Sequence, residues 1–200
     1  MTAWLLFLVL GAIAGVLAGL LGVGGGLVLV AALAWLLPLL GVPADAAMHA
    51  ALASSLASIV LTAAASARAH ARRGSVLWPT VAWMVPGLLL GGWLGSAVAV
   101  RIDGDALRWI VAGYCVVAAL QLLFGKGREG RPDGRPAPQG PGMAAAGGVI
   151  GAVSAVVGIG GGSMTVPLLV SRGVAPVRAV GTSSSCGVAI GLAISVGYAL

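Results

Sequence analysis

Apolar residues run in long stretches separated by short polar islands, and fifteen of the sixteen charged residues lie in those islands, with Arg108 at the edge of one. The apolar runs cover residues 4–21, 27–40, 46–67, 76–100 and 107–124. A polar stretch at 125–142 follows, and then apolar runs at 143–157, 163–170 and 179–200. A helix needs about 20 apolar residues to cross the hydrocarbon core of a bilayer. The runs at 46–67, 76–100 and 179–200 meet this length, and those at 4–21 and 107–124 nearly do. The runs at 27–40 and 163–170 are too short, and each follows a glycine cluster: Gly22-Val23-Gly24-Gly25-Gly26 and Gly158-Ile159-Gly160-Gly161-Gly162. Backbone polar groups in lipid must be satisfied internally, so such segments are expected only where protein or a polar cavity shelters them. The pattern predicts an all-α integral membrane protein with glycine-interrupted helices, broken or re-entrant.

The islands also predict topology. Lys and Arg favour the cytoplasmic side of a membrane. With the island at Arg68, Arg72 and Arg73 inside, crossing the next two runs puts Arg101 and Arg108 outside, beside Asp103 and Asp105, and residues 125–142 inside. Two further crossings return Arg172 and Arg178 to the inside, so nine of the eleven basic residues share one face. The 125–142 stretch, with four prolines and most of the remaining charge, reads as a cytoplasmic linker of disordered composition. Trp78 and Trp109 stand at run ends as interface anchors, whereas Trp83 and Trp93 lie inside a run and are expected to pack. Gly87, Gly91 and Gly95, and likewise Gly11, Gly15 and Gly19, recur at four-residue spacing, which permits close helix crossing.

The chain repeats itself. Gly11 and Gly15 ahead of the first cluster match Gly147 and Gly151 ahead of the second at a constant offset of 136. Gly41-Val42 then matches Gly173-Val174, and Ala53-Ser54-Ser55 matches Gly181-Thr182-Ser183. An odd number of apolar segments, five, separates equivalent points, so the two clusters approach from opposite sides of the membrane. Inverted repeats with paired interrupted helices mark the substrate site of many transporters. This division gives a first repeat at 1–124, the linker at 125–142 and a second, incomplete repeat at 143–200. The repeat arithmetic predicts about ten apolar segments in an intact protein, of which eight are present.

Composition supports the same class. Of 200 residues, 60% are hydrophobic and 8% charged, with 33 glycines and a mean hydropathy of +1.08. A soluble domain carries about 25% charge, so a soluble enzyme, a nucleic-acid binder and a disordered chain are poor readings despite the net charge of +6. Cys115 and Cys186 are 71 residues apart, with no metal-ligand spacing, and read as apolar thiols. No metal or cofactor is expected. The glycine clusters fit neither the phosphate-binding nor the dinucleotide-binding motif, and no Gly-x-Ser-x-Gly elbow accompanies Ser54 and His49, so enzyme readings fail.

The paired Gly-x-Gly-Gly-Gly clusters, the small-hydroxyl segments Ala53-Ser54-Ser55-Leu56 and Gly181-Thr182-Ser183, and Ala69-His70-Ala71-Arg72-Arg73-Gly74 together resemble the sulfite exporter TauE/SafE family of membrane transporters. The resemblance runs the length of the chain, although Ser54 stands where threonine is common. It implies passage of sulfite, organosulfonates such as sulfoacetate, or related sulfur-containing anions across the cytoplasmic (inner) membrane.

A small anion in low dielectric needs donors. Helix starts supply unpaired N–H groups and a positive dipole end, and glycine lets an oxyanion approach them. Gly24, Gly25 and Gly26 in one repeat and Gly160, Gly161 and Gly162 in the other are the candidate substrate-binding backbone, with Ser54, Ser55, Thr182 and Ser183 adding hydroxyls. The plainer reading of the same residues is tight packing for the glycines and back-bonding to their own helix for the serines. No Asp, Glu, Lys or Arg lies inside a span, which leaves His49 as the candidate for carrying a proton with the anion. The rival to a transporter is a structural or assembly subunit, which small-residue packing would also suit. The expected partners are thus a small anionic substrate and the lipid bilayer.

Overall fold

A computed structural model describes residues 7–9, 11–13, 15–16, 26–124 and 137–199. Gly24 and Gly25 of the candidate site, Gly19, and residues 125–136 of the expected linker lie outside the described residues. All regular structure among the described residues is helical. The ordered elements are α1 (Gly26–Leu39), α2 (Ala44–Arg72), α3 (Trp78–Ala99), α4 (Gly104–Phe124), α5 (Pro141–Val157), α6 (Gly162–Ser171) and α7 (Pro176–Ala199). Three helical stretches are long and apolar enough to cross a membrane: Ala46–Arg72, Trp78–Ala99 and Pro176–Tyr198. At 1.5 Å per residue, α6, with 10 residues, reaches only about 15 Å, half of a hydrocarbon core.

Two boundaries differ from the apolar pattern. Arg68 and Arg72, expected in a loop, belong to the last turns of α2, and the chain turns only at Arg73 and Gly74. With 29 residues, α2 is roughly 43 Å long, so its end extends past the hydrocarbon and its basic side chains complement the negative helix terminus. Arg178 likewise sits in the first turn of α7, because Pro176 opens that helix. Trp83 and Trp93 also depart from expectation: they are 43% and 53% exposed and face outward from α3. The buried face of that helix carries Val81, Met84 and Leu88 together with small residues, Gly91, Gly92, Gly95, Ser96 and Ala99.

Those small residues make the tightest contact in the molecule. A Cβ on Gly87 or Gly91 would collide with the carbonyl oxygens of Ala144 and Gly148, and one on Gly95 would lie 2.7 Å from Ala152 O. The fit is reciprocal, since a Cβ on Gly147 or Gly151 would lie 2.5 Å from Met84 O or Leu88 O. Helices α3 and α5 therefore meet backbone to backbone along matched four-residue ridges. Around Gly11 and Gly15 nothing lies within 4 Å among the described residues. On the other side of α3, α7 packs through Ile194, which touches Gly92. Cys186, Ile190 and Ile194 of α7 are fully buried in a core shared with Leu56, Met84, Leu88 and Ile150. Cys115 is only partly buried. A second core joins α4 to α1 and α2 through Leu107, Val111, Val30, Met48 and Leu52, with Val157 and Ile159.

The two segments that follow the glycine clusters match in local geometry. α1 starts at Gly26 and α6 at Gly162, the last glycine of each cluster. Both end in the same turn. Gly41 (φ 91°) and Gly173 (φ 88°) donate to Pro38 O and Val170 O at 3.1 and 2.9 Å, and Val42 and Val174 donate to Leu37 O and Leu169 O at 3.1 and 3.0 Å. The next helices then begin alike, with Ala47 and Ala179 donating to Pro43 O and Ala175 O, each at 2.9 Å. α1 is one turn longer than α6, 14 residues against 10, so the offset falls from 136 to 132 and stays there. The overlay of Ala53-Ser54-Ser55 on Gly181-Thr182-Ser183 is thereby shifted by a further turn. In the observed register Ser55 corresponds to Gly187, and Thr182 to Ala50.

Candidate functional site: the second glycine break and its neighbours

The interruption between α5 and α6 follows from its glycines. Gly158 ends α5 in the left-handed region (φ 75°, ψ 32°), and Gly161 opens α6 in the same region (φ 73°, ψ −7°). A side chain there costs roughly 1–2 kcal/mol. Space forbids one as well: a Cβ on Gly158 would lie 2.5 Å from Leu52 Cδ2, and one on Gly161 would overlap Ile190 Cδ1.

The break leaves a row of donors free. No hydrogen bond among the described residues engages the amides of Gly160, Gly161, Gly162 or Ser163. These are the orphan N–H groups of a helix start, at its positive dipole end. Three nearby carbonyls are in use, whereas those of Ile159 and Gly160 accept no hydrogen bond among the described residues. Ser154 O accepts from Gly158 and Ile159 at 2.9 and 3.1 Å, and Gly161 O accepts from Met164 and Thr165 at 3.2 and 2.8 Å. Gly158 O accepts from the Ser55 hydroxyl at 3.2 Å. Chemically this suits a ligand that accepts hydrogen bonds.

Ser55 does more than cap one carbonyl. Its hydroxyl proton is shared between Gly158 O and Gly26 O, the latter at 3.1 Å, so one buried side chain joins the start of α1 to the end of α5. Gly26 lies close enough that a Cβ would sit 2.8 Å from Gly158 O and 3.4 Å from Ile159 Cα. Ile59 touches both clusters, at the Cβ positions of Gly26 (2.9 Å) and Gly160 (2.8 Å). The structure thus brings Gly26, Ser55, Gly160 and Gly161 into one region, next to Gly162.

Other expected residues lie differently. Ser54 points outward and is exposed. Thr182 is fully buried and donates to Arg178 O at 2.7 Å while accepting from the Leu77 amide at 3.0 Å, which ties α7 to the start of α3. Ser183 is buried on the same helix. His49 is partly buried on α2, and its Nε2 is enclosed without a hydrogen-bond partner. His70 is more than a topology marker. Its Nδ1 pairs with Ser75 Oγ at 3.0 Å, and its Cβ lies 3.0 Å from the Cβ position of Gly181.

Three residues near the break carried no sequence signal as site residues. Tyr114 OH pairs with Ser163 Oγ at 2.7 Å, holding α4 to the start of α6. Ser154, one turn before Gly158, and Thr165, one turn after Gly161, are 1% and 0% exposed, and neither hydroxyl has a partner. An unpaired buried hydroxyl costs about 1–3 kcal/mol. Only their placement in three dimensions could single them out, because serine and threonine inside apolar helices are common.

Comparison with known proteins agrees with this architecture. The sequence profile of the family described as sulfite exporter TauE/SafE matches residues 7–200. A Haemophilus influenzae (strain Rd) protein is 36% identical over 189 residues, covering 94% of this chain and 70% of its own length. Proteins of Xylella fastidiosa strains Temecula1 and 9a5c are 31% and 32% identical over 192 and 194 residues, each covering 94% of this chain and 71% of their own length. All three bear the name "probable membrane transporter protein". No solved structure matches the chain. With a family match over nearly its whole length and membrane-length apolar helices, the chain belongs to the sulfite exporter TauE/SafE family and is a multi-pass membrane transporter.

Proposed function

We propose that the protein moves small sulfur-containing anions, sulfite or organosulfonates, across the inner (cytoplasmic) membrane, by alternating access between two inverted repeats whose glycine clusters meet at the substrate. The observation that carries this reading is the row of four unengaged amides, Gly160 to Ser163, at the start of α6. Such a donor-rich helix start stabilises an anion without a buried cation. The matched turns after α1 and α6 support descent of both halves from one unit, which an inverted-repeat mechanism uses. Gly24, Gly25 and Gly26 supply the counterpart donors of the first repeat. Ser55, its proton held by two carbonyls, keeps the two breaks together and offers a lone pair rather than a proton. His49 carries a proton with the anion, and residues 125–142 face the cytoplasm.

Labelled sulfite and sulfoacetate flux in proteoliposomes tests the reading. Gly25→Leu and Gly161→Leu are expected to abolish flux in folded protein, and unchanged flux in both would sink the site assignment. His49→Gln is expected to remove the response of flux to an imposed pH gradient while leaving isotope exchange at equal pH. A reporter fused at Gly134 should report the cytoplasmic side; an extracellular signal overturns the orientation.

A further inference from the structure

Seven helical hydroxyls in this protein bond back to their own helix. Ser58, Thr62, Ser96, Ser171, Thr182, Ser184 and Ser185 all donate to a carbonyl three or four residues earlier, at 2.7 to 3.2 Å. Ser154 and Thr165 do not, although both are almost completely buried. Ser195 Oγ is also without a partner, on a residue that is only partly buried.

Ser154 and Thr165 bracket the second glycine break in the sequence. Ser154 Oγ lies 3.6 Å from the Cβ position of Gly161, a position packed by Ile190 and Ile150, so the hydroxyl stands beside the start of α6. Thr165 stands on the other side, its amide bonded to Gly161 O at 2.8 Å. Between them lie the free amides of Gly160 to Ser163. The Ser163–Tyr114 hydroxyl pair uses one of its two protons internally and keeps the other. We infer that Ser154 and Thr165 are paired hydroxyl donors to a bound oxyanion at this break, so that the ligand is read by two side chains as well as by backbone. The inference rests on the anion-transport reading above and names the side chains of that site.

The direction of donation follows from the helix start. Its four free amides and positive dipole end favour an anion, towards which a neighbouring hydroxyl donates. Two hydroxyls on different helices also favour a ligand with several oxygens over a single-centred halide, because separate oxygens can meet separate donors.

Thermal unfolding of the purified full chain in detergent, titrated with sulfite, methanesulfonate, phosphate or chloride, tests this. Sulfite or methanesulfonate is expected to raise the unfolding temperature of the wild type, and chloride is not. Ser154→Ala and Thr165→Val should each raise the half-saturating concentration about tenfold or more. Thr165→Ser, which keeps the hydroxyl, should stay within about threefold of the wild type. Unchanged half-saturation in both hydroxyl-deleted variants overturns the inference and leaves the transport reading standing. A wild type that responds only to phosphate, with the response lost in both variants, supports the hydroxyl pair and removes the sulfur-anion reading. No response to any of the four anions overturns both. The substitutions delete unpartnered groups of nearly conserved shape, so folding should be retained. If one variant does not fold, the other decides.

Discussion

Glycine does two different jobs in this molecule, and the α3–α5 contact and the break between α5 and α6 show them side by side. In the contact, Gly87, Gly91, Gly147 and Gly151 keep helical geometry, and their missing side chains admit the partner's backbone. At the break, Gly158 and Gly161 leave helical geometry altogether, and the residue type is needed for the backbone angle as much as for the space. The first use fills the interior with protein and frees no polar group. The second stops a helix and leaves its amides without partners. Glycine content therefore says little about function until each residue is assigned to one use or the other.

The largest effect should come from the contact. Gly91→Leu drives a side chain into the Gly148 carbonyl, and repacking cannot relieve a collision with backbone. A loss on the order of 3 kcal/mol or more is expected, seen as a collapse of folded yield and of unfolding temperature. Survival of the fold would mean that α3 and α5 can separate cheaply, and the contrast would fail. Gly161→Ala comes next, with about 1–2 kcal/mol of backbone strain plus the Ile190 collision. Folded protein should persist while flux falls at least about tenfold, dissociating function from stability as the contact variants should not. Ser55→Ala removes the shared hydrogen bond at about 1–3 kcal/mol. A lowered unfolding temperature with weakened flux is expected, and unchanged values would mean that the two clusters do not depend on each other. The smallest effect should be at Gly148. A Cβ there would meet only Gly87 O, at 3.8 Å, so Gly148→Ala should be neutral or stabilise by roughly 0.5–1 kcal/mol through helix propensity.

The sequence pattern located most helices because lipid leaves the chain few other ways to satisfy its backbone. It could not tell where α2 ends, since Arg68 and Arg72 interrupt an apolar run without interrupting a helix. The spacing of Gly87, Gly91 and Gly95 revealed a narrow face but not its partner, which lies across the chain on Ala144, Gly148 and Ala152. Trp83 and Trp93 misled because the buried face of α3 is filled by Met84, Leu88 and the glycine ridge, which leaves the indoles outside. At the site, the glycine cluster was legible because its density has no purpose in a straight helix. Ser55 was legible as a polar residue in the right place, but its acceptors stand 29 and 103 residues away. Ser154 and Thr165 look like any other hydroxyl in a helix, and only the absence of a partner in three dimensions separates them.

The shared proton of Ser55 has a mechanical consequence. A hydroxyl turns about a single bond, so its proton can lean towards Gly26 O or Gly158 O without any movement of the chain. The joint therefore behaves as a swivel rather than a rivet. It tolerates small shifts between the start of α1 and the end of α5 that a residue of fixed hydrogen-bond geometry would resist.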